Sequence, residues 1–222
     1  MPNWVTSKIV ASPTVIAGML NSEGFIDFEV LLPSPCPHGK DWGGYYGDAE
    51  SAAELVCNAP TSDHELVRRL ELCNRANVDI KKMNDTSFEQ FVGMMRNFRE
   101  CGYFHDMHFR RAAWGTKWNA CAPSHSVDHG WAQFETAWNC PESVLKALSV
   151  RFPEERISVS FADEDMGNNC GAFVLLNGEF VERYVAPPYR DQTEEVREIW
   201  RRFACDVRGK DYDEYFGDDA DE

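Results

Sequence analysis

Long apolar runs are missing from this chain. Nowhere in its 222 residues does a stretch approach the roughly 18 residues that cross a bilayer, so no membrane role is expected. The opening MPNWVTSKIV also lacks the apolar centre of a signal peptide, and a cytoplasmic location is expected. Cys-x-x-Cys pairs are absent as well. The eight cysteines, at 36, 57, 73, 101, 121, 140, 170 and 205, are scattered in a way that fits free thiols better than a disulfide framework. Basic residues are few: 22 Lys and Arg stand against 37 Asp and Glu, for a formal charge of -15. Phosphate binding depends on clustered Lys and Arg, so direct nucleic-acid binding is not expected. Two catalytic signatures are missing too. There is no Gly-x-Ser-x-Gly elbow, and GGYYG at 43–47 lacks the Lys-Ser/Thr of a phosphate loop. No catalytic residue is assigned.

What the chain does hold is aromatic and acidic. Hydrophobic residues make up 43% and aromatic residues 13%, enough to bury a sizeable core. Residues 210–222, KDYDEYFGDDADE, carry seven acids and one lysine, a net of -6 that leaves -9 in residues 1–209. Such a balance serves ordinary solubility or a surface that meets a basic partner.

Hydrophobic period and turn residues give an element order. WVTSKIV (4–10) reads as a strand, and Ser12-Pro13 offers an N-cap with proline at the first helical position for a short helix, Thr14 to Leu20. FIDFEVLLP (25–33) reads as a second strand. Three helices follow in DAESAAELVC, SDHELVRRLELCNRA and DTSFEQFVGMMRNFRECG. Leu66, Leu70 and Cys73 form a stripe in the second; Phe88, Phe91, Val92 and Met95 form one in the third. Ser62 with Glu65 and Thr86 with Glu89 have capping-box spacing. CAPSHSVDHG then reads as a polar turn, WAQFETAW as a strand, Pro141 to Arg151 as an amphipathic helix and RISVSFADED as a strand. In GAFVLLNGEFVERYV the Asn177-Gly178 pair marks a hairpin, and a helix runs from Thr193 to Val207.

Two strand-helix-strand units predict an α+β fold: a ferredoxin-like (split βαβ) antiparallel sheet with the helices on one face, a large helical insertion at about 34–112 and a C-terminal helix. Residues 1–209 are expected to form one elaborated domain, with 210–222 as a flexible acidic tail. Such a sheet can bind RNA by stacking bases on exposed aromatics, but the strands show no Lys/Arg-Gly-Phe run.

Three sets of residues are candidates for function. AAWGTKWNA (112–120) places Trp114, Lys117 and Trp118 in a loop, where the two rings plug a core end or form a recognition surface; Trp138 is the expected packing partner. Exposed acids suited to a basic partner are Asp163, Glu164 and Asp165 at a strand end, with Asp211, Asp213, Glu214, Asp218 and Asp219 in the tail. Cys101, His105, His108, Cys121, His125 and His129 supply nitrogen and sulfur donors of the kind zinc takes in a tetrahedron, though their spacing departs from finger patterns. Without that cluster no cofactor is expected.

Four blocks carry a resemblance: MPNW (1–4), WGTKWNA (114–120), FETAWNCPESVLKALSVRFP (134–153) and SFADEDMGNNCGAF (160–173). Together they resemble the Api92-like family with a YubB-type ferredoxin-like domain, whose members occur in bacteria, on conjugative plasmids and in phages. The resemblance implies the fold and a mobile-element origin in a bacterial host cell, and no reaction. With the acidic charge, it leads to the expectation of a non-catalytic interaction protein of a phage or plasmid. Such a protein would bind and inhibit a host nucleic-acid-handling defence complex, such as a CRISPR effector, by mimicking DNA charge. The alternative is a metal-binding protein or metal-dependent enzyme built on the His and Cys cluster at 101–129.

Overall fold

In the computed structural model, residues 2–39, 42, 46–57, 64–77 and 80–217 are described. They divide into two compact units, one made of residues 1–33 and 110–222, the other of Ser34–Phe109. The first holds an antiparallel sheet in the order β2-β3-β1-β4-β5-β6. The strands are β1 Trp4–Val10, β2 Cys121–Ser126, β3 Trp131–Ala137, β4 Ile157–Asp163, β5 Cys170–Leu176 and β6 Glu179–Val185. The helices run, in chain order, α1 Pro13–Ala17, α2 Phe28–Leu31, α3 Gly47–Cys57, α4 Glu65–Asn77, α5 Asp85–Cys101, α6 Asp106–Phe109, α7 Glu142–Arg151, α8 Glu194–Arg208 and α9 Tyr212–Phe216. The α+β, ferredoxin-like antiparallel sheet is therefore present, with six strands.

Alternation along β1 sorts the helices. Val5, Ser7 and Ile9 point to one face, Thr6 and Lys8 to the other. On the first face Ser7 Oγ donates to Cys140 Sγ at 3.6 Å just before α7, and Phe134 of β3 meets Phe28 of α2 edge-on at 5.3 Å. On the second face Lys8 Nζ donates to the Asp206 carbonyl at 3.3 Å, and Arg208 Nη1 to Thr6 Oγ1 at 3.2 Å, so α8 lies there. Helices thus cover both faces rather than one. Under α8, Ala204, Cys205 and Val207 pack on Ala162, Met166 and Cys170.

Two further segments depart from the pattern. Phe25–Pro33 does not form a strand. Only Ile26 makes an isolated bridge, to Leu20; Asp27 then caps α2 by accepting from Glu29 N at 2.9 Å, while Phe28 N donates to Asn119 Oδ1 at 2.9 Å. These hydrogen bonds, one of them from a residue about ninety positions away, take the place of a ladder. CAPSHS, in contrast, forms the edge strand β2, paired only with β3. Pro123 is tolerated because an edge strand leaves one row of backbone groups unpaired, and a bulge between Cys121 and Ser124 absorbs Ala122 at φ 44°.

In the unit Ser34–Phe109, α3 packs on α5. Ala49 and Ala53 share one core with Met94, Tyr46 and Phe104, and Gly93, lacking a side chain, leaves room for the Trp42 ring packed against that core. Asn97 is fully buried and fully used: its Oδ1 accepts from His38 N at 3.0 Å, and its Nδ2 donates to the carbonyls of His38 and Phe104 at 2.9 and 2.8 Å. The cap of α5 is Asn84, which accepts from Ser87 N at 2.8 Å, and not Thr86. Ser62 lies outside the described residues. Leu66, Leu70 and Cys73 on α4 are exposed, so their stripe is not a core face.

Candidate functional site

The two tryptophans of the loop have different surroundings. Trp114 ends a π-helical turn, Arg110–Trp114, and is fully buried; Nε1 donates to the Leu32 carbonyl at 2.8 Å and the ring stands edge-on to Phe28 at 5.6 Å. Its role as a plug follows from that burial. Trp118 is half-buried and meets Trp4 at 5.6 Å, with Lys117 Nζ 4.1 Å above its ring. Between them Thr116 Oγ1 donates to the Ala137 carbonyl at 3.1 Å, tying the loop to the end of β3. The partner ring is Trp4. Trp138 instead leaves β3 at φ 72° with its side chain half exposed, held by its N–H on the Asn3 carbonyl at 2.9 Å and by Asn169 Nδ2 on its own carbonyl at 2.9 Å.

The acids also separate. Asp163 is 4% exposed, and its carboxylate accepts from Asp165 N at 2.9 Å, Asn169 Nδ2 at 3.0 Å and Asn3 Nδ2 at 3.3 Å. It organises the β4–β5 loop from inside. Glu164 and Asp165 stand outside it, exposed. In the tail, Asp211 caps α9 by accepting from Glu214 N at 2.9 Å, so residues 212–216 are helical. Asp213 and Glu214 are exposed on that helix, while Asp218 and Asp219 lie outside the described residues.

The loop and the tail meet. Glu164, Asp165 and Met166 from the one, and Tyr215 and Phe216 from the other, line a concavity of about 290 Å³ with Tyr189 and Arg201. Cations already lie on its rings: Arg201 sits 5.3 Å from the Phe216 centroid, and Arg197 sits 4.1 Å from that of Tyr189. Next to it Arg202 lies 3.9 Å from the Tyr212 ring. Both Arg197 and Arg201 are bonded to Glu194 at 3.0 Å, whereas Tyr189 and Tyr215 remain about half exposed. Sequence reasoning missed Tyr189, Arg201, Tyr215 and Phe216. The available signal was the three aromatics within DYDEYF, since rings interleaved with acids mark a segment that can dock.

The six donors proposed for a metal fall in both units. In the one, His105 is fully buried, its Nε2 3.1 Å from Glu50 Oε1 and its Nδ1 accepting from His108 N at 3.2 Å; His108 Nδ1 accepts from Phe104 N at 3.1 Å. Cys101 Sγ donates to the Asn97 carbonyl at 3.2 Å. In the other, Cys121 Sγ donates to the Asn119 carbonyl at 3.4 Å, His129 Nδ1 pairs with Ser126 Oγ at 2.9 Å, and His125 lies on β2. Among the described residues no group of three or more His, Cys, Asp or Glu side chains is arranged to hold a metal ion.

Two cysteines line a further concavity, of about 320 Å³, at the start of α7. Burial pushes both Cys140 and Cys170 up to about 12. Near neutral pH both are thiols, and neither is an activated nucleophile. Among the described residues no helix is long and apolar enough to cross a membrane.

Residues 113–207 match the family model described as the ferredoxin-like domain in Api92-like protein, and the chain carries that domain. A search of curated proteins gives no match. Among solved structures, the chain is similar to the crystal structure of a protein api92 from Yersinia pseudotuberculosis. Identity is 11%, with 85% of this chain and 100% of that one covered and a TM-score of 0.38.

Proposed function

We propose that this protein is a non-catalytic acidic interaction protein of a mobile genetic element, which binds a basic surface of a host nucleic-acid-handling complex and competes there with nucleic acid. The observation that carries this reading is the concavity in which Glu164 and Asp165 meet α9, between exposed Tyr189 and Tyr215. Carboxylates beside aromatic faces suit the Lys and Arg side chains of a phosphate-binding groove. Arg197 on Tyr189 and Arg201 on Phe216 are the same pairing within the chain. A charge of -15 adds long-range attraction toward a basic partner. The mobile-element setting rests on the Api92-like resemblance alone.

The test is affinity capture of the tagged chain from a bacterial lysate over a series of salt concentrations, beside the Glu164→Lys/Asp165→Lys double variant. A stoichiometric partner that is released as salt rises, displaced by added DNA and lost with the double variant is the expected result. Retention of the same partner by the double variant at all salt concentrations would overturn the reading.

A further inference from the structure

We propose that Cys36 and Cys101 are a redox modification site, a dithiol that closes to a disulfide within the unit Ser34–Phe109 on exchange with a small-molecule disulfide. Their sulfurs lie 3.8 Å apart, so about 1.7 Å of approach separates contact from a covalent bond. The pair joins two ends of one unit. Cys36 lies in the segment before α3, Cys101 is the last residue of α5, and the link closes a loop around both helices that form the core.

The surroundings assign the two sulfurs different tasks. Cys36 is 1% exposed; its N–H donates to Ser34 Oγ at 3.4 Å, and Ser34 Oγ in turn donates to Asp106 Oδ1 at 2.5 Å. Burial raises its thiol to about 12, with Ser34 opposing and the Cys101 and Asp106 charges adding to the rise. Cys101 is half-buried, at the helix end beside the left-handed Gly102, so a reagent from solvent reaches it first. Its thiolate attacks one sulfur of oxidised glutathione. A Cys101–glutathione mixed disulfide forms, and one glutathione thiolate leaves. Cys36 then gives its proton to solvent and attacks the Cys101 sulfur, and the second glutathione thiolate leaves. Two protein thiols are oxidised, one disulfide is reduced to two thiols, and the protons pass through solvent. The high value at Cys36 makes this second step the slow one. Cys57 Sγ by contrast contacts Met95 Sδ at 3.9 Å, and a thioether offers no such closure.

The experiment incubates the full chain with reduced and oxidised glutathione in set ratios, quenches with acid, alkylates the remaining thiols and maps the peptides by mass. Expected first is a species lacking two hydrogens, with Cys36 and Cys101 peptides joined and the other six thiols alkylated. Proteolysis within 34–109 should fall by at least about tenfold in that species. Cys36→Ser should leave Cys101 as a stable glutathione adduct. If the wild-type chain stops at that adduct, or joins either cysteine to Cys57 or Cys73 first, the proposal is overturned. The wild-type map decides this even if the serine variant fails to fold.

Discussion

The indole nitrogen of Trp114 donates to the Leu32 carbonyl at 2.8 Å, which fastens the π-helical turn to the residue that ends α2. Trp114→Ala removes a fully buried ring and should cost about 3–5 kcal/mol, whereas Trp114→Phe keeps most of the packing and strands the carbonyl, for about 1–3 kcal/mol. Urea denaturation of the two variants checks the order. An alanine variant as stable as the wild type would mean that the ring is not a plug.

Asp163 and Glu164 are neighbours with separable effects. Asp163→Ala leaves Asp165 N and the Asn3 amide without this acceptor and Asn169 Nδ2 with only the Trp138 carbonyl, and a loss of about 2–3 kcal/mol is expected. Glu164→Lys changes an exposed residue, so stability should move by less than about 0.5 kcal/mol while partner affinity falls. Thermal denaturation beside salt-dependent capture separates the two. Equal stability losses would show that Glu164 is also part of the loop's scaffold.

Stability should decline at alkaline pH. Burial raises the folded-state value of Cys140 from 9.0 to about 12, so the unfolded chain releases a proton that the folded one retains. This contribution is fully present below pH 9 and is lost as pH rises toward about 12, at about 1.4 kcal/mol per pH unit. Cys36 and Cys170, raised to about 12 as well, act in the same direction. Denaturant midpoints between pH 8 and pH 11, compared with Cys140→Ala, test it: the variant should show the shallower decline.

Asp211 holds α9 in place through its carboxylate, which accepts from Glu214 N. Asp211→Ala should cost that helix about 0.5–1 kcal/mol, seen as faster amide exchange at Tyr215, whose N–H donates to the Asp211 carbonyl at 3.2 Å. Unchanged exchange would mean that packing of Tyr212 and Phe216 against α8 fixes the segment alone.

Elements whose signals are local could be read directly. Asn177 at φ 48° and Gly178 at φ 80° make the expected hairpin turn, and Thr193 caps α8 one residue before its start. Elements whose partners are distant could not. The helix at Phe28–Leu31 depends on Asn119, the strand at Cys121–Ser126 on a bulge against β3, and the backbone of Trp138 on Asn3 and Asn169. The site shows the same division. Glu164 and Asp165 were evident as acids at a strand end, but their neighbours Tyr189, Arg201 and Phe216 come from segments whose approach only the fold supplies.

The central strand carries a consequence for synthesis. Both neighbours of β1, at Trp131–Ala137 and Ile157–Asp163, emerge from a ribosome more than a hundred residues after it. At 5–20 residues per second, Val5 and Ile9 wait roughly 8–30 s for their cover. All of Ser34–Phe109 is made during that interval, so the nascent chain completes its inserted unit before its sheet can begin to close.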